Sequence, residues 1–147
     1  MIKIVPFRTE HTDGIYEIEV MSFSVPWAKP IFGEITSVPW LKFFTVLDDE
    51  KIIGYCGLNH ILDEGQIINI AVHPDYRRRG IGNLLMDEMI TYAKNNEIVL
   101  LTLEVRQSNT AARTLYEKYG FYAVGIRPGY YTHPTEDAVL MNKDLGV

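Results

Sequence analysis

A chain of 147 residues is the usual size of one domain, so residues 1–147 are expected to fold around a single core. Hydrophobic residues make up 47% and charged residues 22%, which excludes a disordered tail and a fibrous repeat. The net charge of −5 lies wholly in residues 1–69, with 10 acids against 5 bases, while residues 70–147 hold 9 of each; this argues against nucleic acid as a direct partner and favours basic or amine-bearing ones.

Ile2 to Phe7 reads as a first strand. Thr9 to Phe23 carries Ile15, Ile18 and Phe23 among Asp13, Glu17 and Glu19, the pattern of an amphipathic helix with solvated carboxylates. Pro26 and Pro30 interrupt it, and Ile31, Phe32 and Ile35 suggest a second short helical piece before Pro39. Leu41 to Leu47 and Lys51 to Leu62 are strand-like runs joined by Asp48, Asp49 and Glu50 as a hairpin turn. Gln66 to Val72 is nearly all apolar, as expected of a central strand covered on both faces.

From Ile81 the period becomes helical, with Leu84, Leu85, Met89 and Tyr92 before a stop at Asn95 and Asn96. Ile98 to Val105 is again strand-like. Ser108 is expected to cap a helix with Ala112, Leu115, Tyr116 and Tyr119 on one side, ended by Gly120. Phe121 to Ile126 and Ala138 to Met141 complete the strands. This order predicts an α/β fold with a mixed central sheet flanked by helices. A lone cysteine, Cys56, excludes an intrachain disulfide and a cysteine-rich zinc site, and points to a reducing, cytoplasmic setting. Neither a leader peptide nor a membrane span is expected, because no apolar stretch is long enough. The histidines at 11, 60, 73 and 133 lack metal-ligand spacing, so no metal is expected.

The segment Arg77-Arg78-Arg79-Gly80-Ile81-Gly82 lies between a buried strand and a helix. Amides at a helix start lack internal partners, the helix dipole adds positive potential there, and the glycines let a phosphate approach the backbone. The segment therefore reads as a pyrophosphate cradle, against the plainer alternative of a polar turn with solvated arginines. Neither the G-x-x-x-x-G-K-[ST] loop nor the G-x-G-x-x-G pattern is present.

The run from Ile70 through Gly82 resembles the acyl-CoA motif of the GNAT family of N-acetyltransferases, [QR]-x-x-G-x-[GA] after a strand, with Arg77, Gly80 and Gly82 at the matching positions. Leu103 to Arg106, Ser108, Asn109, Ala112 and Leu115 to Phe121 resemble the family's closing strand and helix. Within it, Phe23, Pro26, Trp27, Asn69 to Val72, Arg127, Tyr130, Tyr131, Glu136 to Ala138 and Met141 resemble members that acetylate the N-terminal alanine of a small-subunit ribosomal protein.

The resemblance implies a GNAT-like acyl-CoA fold with acetyl-CoA as cosubstrate. It implies that Ile70, Ala71 and Val72 meet the pantetheine arm, that Arg77, Arg78, Arg79, Gly80, Ile81, Gly82 and Asn83 hold the pyrophosphate, and that Asn109 contacts the cofactor near its reactive end. It also implies Glu104 as general base, Tyr116 as the group meeting the departing sulfur, and Arg127, Tyr130, Tyr131, Glu136 and Asp137 as the peptide-side residues. His133, Pro134 and Thr135 have no clear family counterpart.

Each role competes with a plainer one. Glu104 alternates with Thr102 and Arg106 on one strand face and could simply pair with Arg106. Tyr116 could be core packing, and Cys56 reads as a small buried hydrophobe rather than an acetyl carrier. An amine attacks only as the neutral base. At pH 7 that costs about 1 kcal/mol for a peptide α-amine and about 4.6 kcal/mol for a lysine, so an α-amine needs the lesser help. The expected activity is acetylation of a protein N-terminus in a ternary complex. Other N-termini, lysines or small amines, and a noncatalytic acyl-CoA-binding module, remain the alternatives.

Overall fold

The structure, a computed structural model, describes residues 1–146. Seven strands, β1 (Ile2–Pro6), β2 (Leu41–Asp48), β3 (Lys51–Ile61), β4 (Glu64–Val72), β5 (Leu100–Arg106), β6 (Tyr122–Tyr131) and β7 (Glu136–Asp144), join one sheet in the order β1-β2-β3-β4-β5-β7-β6. Helices α1 (Thr12–Ser22), α2 (Lys29–Gly33), α3 (Ile81–Asn95) and α4 (Thr110–Lys118) interrupt them, which gives the mixed α/β order expected. All pairings are antiparallel except β4 with β5, whose crossover runs through α3.

The parallel pair is short. It runs only from Glu64 opposite Leu100 to Ile67 opposite Leu103, although β4 continues to Val72 and β5 to Arg106. Beyond Ile67 the two strands part. The parting starts at a bulge: Gly57 of β3 faces Asn69 and Leu58 faces Ile67, so Ile68 is an extra residue. His73 N–H donates to the Ile53 carbonyl at 2.8 Å. By the alternation of an antiparallel ladder, Ala71 and Asn69 then direct their peptide groups to β3, and Ile70 and Val72 direct theirs into the opening.

Each face of the sheet has its own core. On one, Leu85, Met86 and Met89 of α3 and Tyr116 of α4 pack against Leu101, Leu103 and Val105 of β5. On the other, Ile15, Ile18 and Phe32 from α1 and α2 pack against Phe43, Tyr55 and Ala71. Three expectations change. Glu19 is not solvated but 2% exposed, because its position four after Ile15 sets it on the buried stripe. Asn109 rather than Ser108 caps α4, its Oδ1 accepting from Ala112 N–H at 3.2 Å. The last two strands also run beyond the expected Phe121 to Ile126 and Ala138 to Met141, so most of residues 127–137 lies in the β6–β7 hairpin.

Candidate active site

At one end of the opening, Gly80 caps α3 with φ +80°, a left-handed conformation that favours glycine, and nothing lies within 4 Å of where a Cβ would stand. At Gly82 a Cβ would approach Leu115 Cδ2 at 3.2 Å, so this glycine permits close contact between α3 and α4. The first amides of α3, from Ile81 through Asn83, lack carbonyl partners within the helix. The three arginines differ: Arg77 Nε donates to the Val72 carbonyl at 3.3 Å, Arg79 lies 5.1 Å over the Tyr76 ring, and Arg78 is exposed. Asn83 Oδ1 accepts from Lys118 Nζ at 3.0 Å and from the Tyr119 hydroxyl at 3.2 Å, linking the start of α3 to the end of α4.

On β5, Leu101, Leu103 and Val105 enter the α3 core, and Glu104 therefore points to the opposite face. Its Oε1 lies 3.5 Å from Arg127 Nη2 and its Oε2 is buried with no protein partner. Arg127 in turn lies 5.1 Å over the Tyr130 ring. Tyr116 is buried, 5.9 Å ring to ring from Phe121. Burial, then the neighbouring Tyr131 and Cys56, push its phenol above the ordinary tyrosine range. Tyr131 is itself pushed up to about 12, chiefly by burial and then by the Glu104 charge. Cys56 is buried, and burial pushes its thiol above the ordinary value, which disfavours the thiolate that covalent acetyl transfer needs.

Arg106 does not pair with Glu104. It donates to the carbonyls of Thr132 at 2.7 Å and Pro134 at 2.9 Å, to Glu136 Oε1 at 3.2 Å and to Ser24 Oγ at 3.2 Å, and its guanidinium stacks 4.6 Å over the Tyr131 ring. Glu136 also accepts from Ser108 N–H at 2.5 Å, and these donors hold its carboxyl below the usual range. Asp137 accepts from Gly129 N–H at 2.8 Å. Both carboxylates expected to meet the peptide are thus engaged in shaping the hairpin. Glu19, Ser24 and Arg106 carry contacts that the sequence reading gave to none of them. The available signal for Glu19 was its place on the Ile15–Ile18 stripe.

His60 bonds Tyr92 and the Leu62 carbonyl, and His73 caps the turn at Asp75. Among the described residues no cluster of three or more His, Cys, Asp or Glu forms a metal-binding arrangement, and no helix is long and apolar enough to cross a membrane.

The sequence matches the profile of the Acetyltransferase (GNAT) family over residues 12–121. It is 39% identical over 134 residues to the ribosomal protein bS18-alanine N-acetyltransferase of Haemophilus influenzae, covering 88% of this chain and 89% of the relative. The crystal structure of the ribosomal-protein-S18-alanine N-acetyltransferase from Escherichia coli superposes with a TM-score of 0.92 at 33% identity, over 100% of this chain and 96% of that one. A GNAT acetyltransferase from Elizabethkingia anophelis with acetyl-CoA bound shares the fold, with a TM-score of 0.79 at 24% identity over 98% of each chain. With a profile match over most of its length and a relative of this identity and coverage, the chain belongs to the GNAT family of acetyltransferases.

Proposed function

We propose that residues 1–147 form one cytoplasmic catalytic domain that acetylates the N-terminal alanine of the ribosomal protein bS18 by direct attack in a ternary complex. The observation that carries the reading is the opening between β4 and β5 beyond Ile67, where the peptide groups of Ile70 and the N–H of Val72 have no partner on β5 and the Val72 carbonyl accepts from Arg77 Nε. The named substrate of the Haemophilus influenzae and Escherichia coli relatives supports the choice of acceptor.

The residues fit acetyl-CoA: the open space at Gly80 and the unpaired amides of α3 suit a pyrophosphate, and the unpaired edge of β4 suits an extended amide-bearing arm. Acetyl-CoA supplies the thioester carbonyl that the amine attacks. Ala71 packs beneath that edge, Ile81, Gly82 and Asn83 offer amides, and Arg78 and Arg79 add positive charge. Asn109, which caps α4, is assigned to the reactive end of the cofactor.

Glu104 takes the proton from the α-ammonium, directly or through a water. Tyr116, kept protonated by burial, donates to the departing sulfur. Arg127, Tyr130 and Tyr131 form the peptide side, with Glu136 and Asp137 holding their hairpin. The deciding experiment is mass spectrometry of synthetic peptides with acetyl-CoA, comparing Ala-initiated basic peptides with N-terminally blocked ones and with internal lysines. Acetylation of the free α-amine is expected. Modification confined to lysines defeats the acceptor assignment, and tight CoA binding without transfer indicates a noncatalytic module.

A further inference from the structure

Glu19 is an ionisable side chain in a core, 2% exposed, and three donors converge on it. Oε2 accepts from Trp27 N–H at 2.8 Å, and Oε1 accepts from Asn69 Nδ2 at 3.2 Å and from the Tyr55 hydroxyl. A carboxylate so buried is costly unless fully partnered, and these partners come from three separate elements. Tyr55 lies on β3. Asn69 lies on β4 just past its last pairing with β5, where the strands part. Trp27 belongs to the segment between α1 and α2, which contains Pro26, is followed by Pro30 in the first turn of α2, and has little backbone hydrogen bonding of its own.

That same segment is held from the other side. Ser24 Oγ accepts from Arg106, whose remaining donors go to the β6–β7 hairpin. Residues 24–27 therefore stand between the parted end of β4 and the hairpin that bears Arg127, Tyr130 and Tyr131. The Asn69 amide is oriented by the carboxylate as well: its NH2 is spent on Glu19 and its Oδ1 is left buried without a protein partner.

We propose that Glu19 is a positioning residue for the acceptor peptide: its buried carboxylate clasps Trp27 N–H to Tyr55 and Asn69 and so pre-forms the α1–α2 segment as a wall of the acceptor cleft. The inference rests on the acceptor side assigned above. The acyl-CoA turn at Gly80 lies outside this clasp, so the two substrates respond differently to its loss.

The test is Glu19→Gln, which keeps the shape but sets an amide nitrogen against Trp27 N–H or against the Tyr55 and Asn69 donors. For a basic Ala-initiated peptide, KM is expected to rise roughly tenfold, with kcat and the acetyl-CoA KM changed by less than about threefold. Hydrogen exchange at the Trp27 amide is expected to speed up. Tyr55→Phe, which removes one donor and keeps the carboxylate, gives a smaller rise in the same direction and stands in if Glu19→Gln does not fold. A wild-type peptide KM in the folded variant overturns the proposal, as does an equal loss of acetyl-CoA affinity. If the unmodified enzyme acetylates no N-terminal peptide, the acceptor assignment fails instead, and Trp27 exchange still reports whether the clasp exists.

Discussion

Arg127 Nη2 lies 3.5 Å from Glu104 Oε1, so across the intervening β7 the hairpin sets a cation against the carboxylate on β5. The strand neighbour Arg106, two residues away, points instead into the hairpin and the α1–α2 segment. Only Oε1 of Glu104 is engaged by the cation; Oε2 is buried without a protein partner.

Replacing Glu104 with Gln is expected to lower kcat/KM for an N-terminal peptide by about 10²- to 10⁴-fold, the usual contribution of a positioned base. The loss concentrates at low pH. There the α-amine, with a pKa of about 7.8, is mostly protonated and depends on the base most. An unaltered pH–rate profile removes Glu104 from that role.

Tyr116→Phe is expected to reduce turnover while leaving the acetyl-CoA KM nearly unchanged. Because burial raises the phenol above its ordinary value of 10, the donor form persists through that pH. Turnover limited by chemistry should therefore show no decline below pH 10 traceable to this group. Wild-type turnover in the variant, measured with chemistry rate-limiting, ends the assignment.

Gly80→Ala puts a Cβ into open space, so its cost is backbone strain alone, about 1–2 kcal/mol for a left-handed residue. Thermal melting reads that loss. A change of turn conformation should also raise the acetyl-CoA KM more than the peptide KM, the reverse of the pattern expected for Glu19→Gln.

Arg106→Lys keeps the charge but loses the planar fork that reaches two carbonyls, a carboxylate and a hydroxyl while stacking on Tyr131. The variant is expected to raise the peptide KM roughly tenfold. A double-mutant cycle with Ser24→Ala checks the linkage: additive effects on peptide kcat/KM show that the α1–α2 segment and the hairpin are not coupled through Arg106.

Burial lowers the pKa of His11, whose Nδ1 accepts from Arg8 N–H at 3.1 Å and so must be unprotonated in the fold. Stability from this group is present above the unfolded pKa of about 6.5 and is lost as pH falls through the lower folded value. Melts between pH 7.5 and pH 5 should fall more steeply for the native chain than for His11→Phe. Parallel curves rule the histidine out as a source of acid sensitivity.

Much of this architecture is written in local pattern. Hydrophobic period distinguished the strand before Gly80 from the helix after it, and Gly80 and Gly82 marked a turn where backbone had to stay bare. The motif residues around that turn and along β5 were enough to suggest the family, because cradle and strand are each built from contiguous chain. What local pattern misassigned were contacts made at a distance. Glu19 has the composition of a solvated helix face, and only packing against Tyr55 and Asn69, 36 and 50 residues away, makes it a buried clasp. Arg106 meets Ser24 across 82 residues, and Glu104 finds Arg127 rather than its strand neighbour. A charged side chain on a partly covered face has many possible partners, and sheet order decides among them. The −5 charge and its acidic first half thus narrowed the class of partner from composition alone. Which carboxylates are solvated, which hold loops and which lie buried was decided only when β4 and β5 parted and the hairpin closed beside them.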